Sequence, residues 1–167
     1  SGVGYDTVDL AAASEFGVAV CNVPGYATEV VSDHAIAMTL ALLRRLPELN
    51  ADVHHGIWDP TGHRPMGQVY GRTFGVVGMG DIGRAVARKA RGLGFEVICW
   101  SHSLVPGRRP PEGFEVVSYD ELLKRADVVS FHTALVPATH HLLNATNIEL
   151  LKPGCIVINT SRGAVVD

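Results

Sequence analysis

The stretch Gly78-Met79-Gly80-Asp81-Ile82-Gly83 decides the fold. Before it, Thr73 to Val77 is a short apolar run that reads as a strand. After it, Ile82 to Leu93 places Ile82, Val86, Ala90 and Leu93 on one face of a helix, with Gly94 as its stop. A second strand, Glu96 to Trp100, ends about twenty residues beyond the glycines. A bare G-x-G-x-x-G says little, but between a strand and a helix it reads as a dinucleotide fingerprint. Gly78 permits the tight turn, Gly80 lets backbone approach a pyrophosphate, and Gly83 lets helix and strand pack closely. The helix N-terminus adds free N–H groups and partial positive charge.

Outward from this unit, apolar strands alternate with helices. Phe114 to Val117 is a short strand, and Ser118-Tyr119-Asp120-Glu121 is a capping box that opens a helix. Val128 to Phe131 and Ile156 to Asn159 are buried strands, and Thr146-Asn147-Ile148-Glu149 is a second capping box. The pattern predicts an α/β fold, a Rossmann-type doubly wound parallel sheet covered on both faces. Ligands of such sheets lie outside the carboxyl ends of the strands. Ser101, His132, Thr133 and the run Thr160-Ser161-Arg162 all fall at such ends. Ser101 stands where an acid usually binds the ribose 2′-OH. His102, Arg108 and Arg109 follow, either as solvated loop residues or as partners of a 2′-phosphate, so both NAD and NADP are expected cofactors. Arg162 can hold a carboxylate bidentately and polarise a carbonyl about to receive hydride. Its alternative is a surface ion pair.

Toward the N-terminus, Asp6 to Phe16 reads as a helix and Val18 to Cys21 as a strand. Val30 to Leu46 is a helix apolar on nearly every side, so it must be covered by a second subunit or by the body of its own protein. Pro47 kinks it or starts a new helix, and His54 to Gly71 is a connector. The 167 residues are 47% hydrophobic and 19% charged, which excludes disorder. A net charge of −3 argues against nucleic acid or an anionic membrane as the main partner. No apolar run reaches the ~18 residues of a membrane span. The three cysteines, Cys21, Cys99 and Cys155, lie beside apolar runs and read as buried thiols of a reducing, cytoplasmic compartment. The adjacent pairs His54-His55 and His140-His141 make poor metal sites, and His34 reads as a core residue, so no metal is expected. Opening at Ser1 and closing on Asp167 directly after an apolar run, the chain reads as a piece of a longer one.

Several further stretches carry a resemblance. They are Gly2-Val3-Gly4-Tyr5-Asp6-Thr7-Val8-Asp9, Cys21-Asn22-Val23-Pro24, Ala126-Asp127-Val128-Val129-Ser130-Phe131-His132, Leu151-Lys152-Pro153-Gly154 and Asn159-Thr160-Ser161-Arg162-Gly163. With the glycine motif, they resemble the D-isomer-specific 2-hydroxyacid dehydrogenase family in order and spacing. Similar members include phosphoglycerate dehydrogenases, glyoxylate/hydroxypyruvate reductases and the C-terminal-binding-protein branch. The Cys-Asn-Val-Pro stretch and Leu46-Pro47-Glu48-Leu49 lean toward the last.

The resemblance implies residues 1–24 as the end of a flavodoxin-like substrate domain, 25–71 as crossover and dimerisation helices, and 72–167 as the dinucleotide-binding domain. It implies a homodimer through the Val30–Leu46 helix and hydride transfer between nicotinamide and a small 2-oxo or 2-hydroxy acid. Arg162 would be the catalytic arginine, and Val3 and Gly4 would hold the substrate carboxylate through their N–H groups. Asp81 and Ile82 would lie on the pyrophosphate, with Thr133 and Thr160 near the nicotinamide half. The family's His and Glu would come from beyond Asp167, leaving this piece inactive alone. The rival readings are a nucleotide-sensing corepressor on the same fold and a cofactor-binding regulatory domain without chemistry.

Overall fold

The computed structural model describes every residue except Ser1, Gly2, Pro60, Arg64, Arg108, Arg109 and Pro111. Helices α1 (Leu10–Glu15), α2 (Thr28–Leu43) and α3 (Leu46–His54) precede an alternating series. The series runs β1 (Thr73–Val77), α4 (Asp81–Gly92), β2 (Glu96–Trp100), β3 (Glu115–Val116), α5 (Tyr119–Arg125), β4 (Val128–Phe131) and β5 (Ile156–Asn159). Two 3₁₀ turns, Ile148–Leu150 and Gly163–Val165, flank β5. The strands form one parallel sheet in the order β3-β2-β1-β4-β5. The order reverses between β1 and β4, the point at which a doubly wound sheet opens a crevice.

Both faces of the sheet are buried, because successive side chains alternate between them. Phe74, Val76, Val128 and Ile158 pack with Ala35 and Leu43 of α2 and Val86, Ala87 and Ala90 of α4. Val77, Ile98, Val129 and Phe131 pack with Leu122 and Leu123 of α5 and with Ala126, which ends that helix. Gly75 lets α5 come close: a Cβ there would stand 2.7 Å from Leu122 Cδ2. Ser32, Ala35, Thr39 and Leu43 make the buried stripe of α2. The hydroxyls of that stripe are satisfied locally, Ser32 donating to the Glu29 carbonyl and Thr39 to that of Ala35. Lys89 of α4 ties down the start of α2 by pairing with Glu29 and Asp33 and donating to the Ser32 hydroxyl.

Five expectations are corrected. Val18 to Cys21 is not a strand; it has no strand partner among the described residues, and a strand exists only through pairing. Cys21 is therefore exposed, while Cys99 is buried and Cys155 half-buried. The helix expected over Val30–Leu46 stops at Leu43. Pro47 has no N–H to give the Leu43 carbonyl, which accepts from Gly67 N instead, and Arg45 turns left-handed at φ 55° before α3 begins. His34 is exposed rather than in the core, since the buried stripe of α2 runs through Ala35.

The second capping box does not form either. Asn144 Oδ1 accepts from Thr146 N and Asn147 N, and Asn147 Oδ1 accepts from Asn144 N. This reciprocal asparagine pair organises the turn two residues earlier than expected, and only one 3₁₀ turn follows. At the first capping box the N-cap half does form: Ser118 Oγ accepts from Glu121 N, while the Glu121 carboxylate pairs with Arg125.

Candidate active site

Register places the candidate residues. Val77 pairs with Trp100 on one side and Phe131 on the other, and Phe131 pairs with Asn159. Gly78, Ser101, His132 and Thr160 are thus the first residues beyond four aligned strands, in one row along the carboxyl edge. Gly78 donates to the Trp100 carbonyl and His132 N to that of Val77, holding the row together. Gly78 has φ +96°, and a Cβ there would stand 2.6 Å from the His132 carbonyl oxygen, so only glycine fits. A Cβ on Gly83 would lie 1.9 Å from Gly78 O, which brings α4 directly against the turn. Gly80 is the N-cap of α4, and a Cβ there would meet nothing within 4 Å among the described residues. The N–H groups of Asp81 and Ile82 follow it on the first helical turn.

These features suit a bound dinucleotide: an open glycine at a helix N-terminus, and a buried Thr133 hydroxyl without a partner among the described residues. The acid expected after β2 is absent. Ser101 Oγ lies 3.3 Å from Ser103 Oγ, and His102 packs edge-on against Trp100. Arg108 and Arg109 lie outside the described residues. Arg84 of α4 donates to the Met79 carbonyl of the glycine turn and pairs with Glu112, which pins the end of the β2–β3 loop to that turn.

Between β4 and β5, His132 bridges two hydroxyls. Its Nε2 is 2.8 Å from Ser130 Oγ and its Nδ1 3.3 Å from Thr160 Oγ1. Burial holds the imidazole neutral, with its pKa lowered from the ordinary 6.5 to about 4. The unfolded chain would take up this proton as pH falls through 6.5, whereas the folded chain resists until about 4. The resulting stability is present at neutral pH and is lost on acidification across that window, by roughly 3 kcal/mol in all. Urea denaturation at pH 7 and pH 4 should show this loss in the wild type and a smaller one in His132→Gln. An equal loss in both would remove the buried imidazole as its source. Burial also pushes the Cys99 and Cys155 thiols up to about 11, so neither is a thiolate nucleophile at neutral pH.

At the end of β5, Asn159 Oδ1 accepts from the N–H and the hydroxyl of Ser161, and Asn159 Nδ2 donates to the Arg162 carbonyl. The Ser161 hydroxyl is thus engaged within the turn rather than aimed outward alone. Arg162 reaches the N-terminal loop. Its Nε lies 3.0 Å from both Asp6 oxygens and its Nη2 2.7 Å from Asp6 Oδ1. A Cβ on Gly4 would stand 1.8 Å from Nη2, so Gly4 and Arg162 lie in direct contact. The hydrogen bonds from Arg162 hold the Asp6 carboxyl below the usual carboxylate range. Neighbouring Val3 is anchored through its carbonyl by Asn22 Nδ2. A cleft of about 390 Å³ adjoins the site, lined by Val30, Val31, His34 and Met38 of α2 with Asn159 and Thr160. Asp6, Asn159 and Ser130 were not among the residues expected to shape the site. Only Asn159 carried a local signal, as an Asx residue directly before a turn.

A glycine turn, a helix N-terminus and an arginine gathered at the carboxyl edge of a parallel sheet define a dinucleotide-dependent class of protein. Residues 36–167 match the family described as D-isomer specific 2-hydroxyacid dehydrogenase, NAD binding domain, and the chain belongs to that family. Over 171 residues it is 40% identical to a glyoxylate reductase of Thermococcus litoralis, covering 99% of this chain and 52% of that protein. It is 37% identical to a D-3-phosphoglycerate dehydrogenase of Mycobacterium leprae, covering all of this chain and 31% of the relative. A crystal structure of D-lactate dehydrogenase from Aquifex aeolicus, complexed with NAD and lactic acid, superposes with a TM-score of 0.89 at 34% identity. That match covers 99% of this chain and 50% of the lactate dehydrogenase. The chain spans about half the length of the first of these relatives. Among the described residues no helix is long and apolar enough to cross a membrane.

Proposed function

We propose that the protein is an oxidoreductase acting on CH–OH, moving a hydride between NAD(P) and a small 2-oxo or 2-hydroxy acid. The observation that carries this reading is the contact of Arg162 with Gly4 at the edge of the crevice. It joins a guanidinium to the loop expected to hold a carboxylate. Gly80, Asp81 and Ile82 would hold the pyrophosphate through backbone N–H groups, with Thr133, Thr160 and Ser161 along the nicotinamide half. Nicotinamide, when bound, supplies or accepts the hydride. Arg162 binds the substrate carboxylate and stabilises charge developing on the carbonyl oxygen. The named relatives are enzymes, and the corepressor reading draws no support from them. The test is NADH oxidation by the complete protein with glyoxylate, hydroxypyruvate or phosphohydroxypyruvate; no oxidation with any of them sinks the reading.

The division into residues 1–24, 25–71 and 72–167 belongs to this proposal, as do a cytoplasmic location and a homodimer. Exposed apolar side chains of α2 support the dimer: Leu42 is exposed, and Val30, at the border of the cleft, is 71% exposed. Sedimentation of the wild type and Val30→Glu should give a dimer and a weakened dimer; a monomeric wild type would end that part. NADP should bind comparably with NAD, because Ser101 removes the charge that repels a 2′-phosphate. Ser101→Asp should lower NADP affinity about tenfold or more, as loss of one charge-assisted contact does. Titration with each cofactor decides this, and unchanged NADP affinity would refute the role of Ser101.

A further inference from the structure

We infer that Asp6 is a positioning residue that clamps one edge of the Arg162 guanidinium and leaves the opposite edge free for the substrate. The inference rests on the role proposed above for Arg162. A guanidinium has five N–H donors in one plane. Asp6 takes the Nε proton and one Nη2 proton, and the Ser161 carbonyl takes one Nη1 proton. Among the described residues this leaves one N–H on Nη1 and one on Nη2. Such a pair is the two-pronged set that a carboxylate, or a carboxylate oxygen together with an adjacent carbonyl, accepts.

The clamp spans 156 positions of sequence and joins the loop after Val3 to the turn after β5. Asn159 fixes the same turn from behind by binding the Arg162 carbonyl, so backbone and side chain are both held. Without Asp6 the planar fork loses its orientation but keeps its charge. Both side chains are partly open to solvent, at 41% for Arg162 and 30% for Asp6, and in the clamp a carboxylate takes the remaining edge without displacing Asp6. An Asp6 that instead competed with substrate would have the opposite kinetic signature.

The test compares wild type, Asp6→Asn and Asp6→Glu in the complete protein. Asp6→Asn should lower kcat/KM for the best 2-oxo acid roughly ten- to a hundredfold, with kcat falling as well as KM rising, since small misplacements of a reacting group cost this much. NADH affinity should stay within about threefold, a change below 1 kcal/mol. Asp6→Glu, which keeps the charge, should recover part of the loss. The Arg162 Nε–Hε signal in ¹⁵N NMR should be sharp and slow to exchange in the wild type and broadened in Asp6→Asn. A lower KM in Asp6→Asn would show competition and overturn the clamp, as would kinetics equal to wild type. A wild type silent on every 2-oxo acid would overturn the proposed function itself, and this inference with it.

Discussion

Arg162→Lys in the complete protein is expected to lower kcat/KM for 2-oxo acids by roughly 10²–10³-fold, the usual cost of removing a donor aimed at developing charge. Lysine keeps the positive charge but not the planar fork. Its single ammonium cannot hold Asp6 along one edge and present two parallel N–H groups on the other, as Arg162 does. NAD affinity should change little, because the glycine turn and the N-terminus of α4 are built from backbone that Arg162 does not touch. Steady-state kinetics with a cofactor titration separate the two effects. An unchanged kcat/KM on every accepted 2-oxo acid would leave Arg162 a structural ion-pair residue.

The second large effect is expected at the glycines, and it differs between two of them. Gly83→Ala puts a methyl group 1.9 Å from Gly78 O, against backbone that cannot yield without moving α4 off the turn. Stability should fall by about 1–3 kcal/mol, the range for overpacking. Cofactor affinity should fall with it, because the helix N-terminus and the turn must lie together to face a phosphate. A methyl on Gly80 meets nothing within 4 Å among the described residues, so Gly80→Ala should lose no more than about 1 kcal/mol, the cost of alanine at an N-cap. Its methyl would nevertheless stand where backbone must approach the pyrophosphate, and NAD affinity should drop roughly ten- to a hundredfold. Denaturation and NADH titration of both variants test this contrast. A Gly80→Ala protein that binds NADH like wild type would remove the turn from the cofactor site.

Much of the fold is legible from short stretches of sequence. β1, β2, β4 and β5 span the residues that their apolar runs delimit, and α5 begins where Ser118 caps it. The glycine motif follows β1 and runs into the first turn of α4, as its context requires. These features depend on neighbours a few positions apart: a run of apolar side chains, a hydroxyl three residues before a free N–H, a glycine where φ must be positive. Parallel order and the row of strand ends then follow from alternation, and they bring Gly78, Ser101, His132 and Thr160 to one edge.

Some local signals are overruled by contacts from outside their own stretch. Thr146 and Glu149 have the spacing of a capping box, but Asn144 and Asn147 satisfy each other first. Val18 to Cys21 has the composition of a strand but no partner among the described residues. His34 sits in an apolar helix yet faces the cleft, because which stripe of α2 is buried depends on α4 and the sheet rather than on α2 itself.

The sequence by itself determined the sheet, the glycine turn and the identity of Arg162 as a residue of interest, because each is encoded within a few positions. Only the tertiary structure decided what Arg162 and His132 touch. The Asp6 carboxylate, the Gly4 backbone and the Ser130 and Thr160 hydroxyls become their neighbours through strand order and register. A hydrogen bond is selected by distance in space, and 156 residues of chain leave no local mark of it.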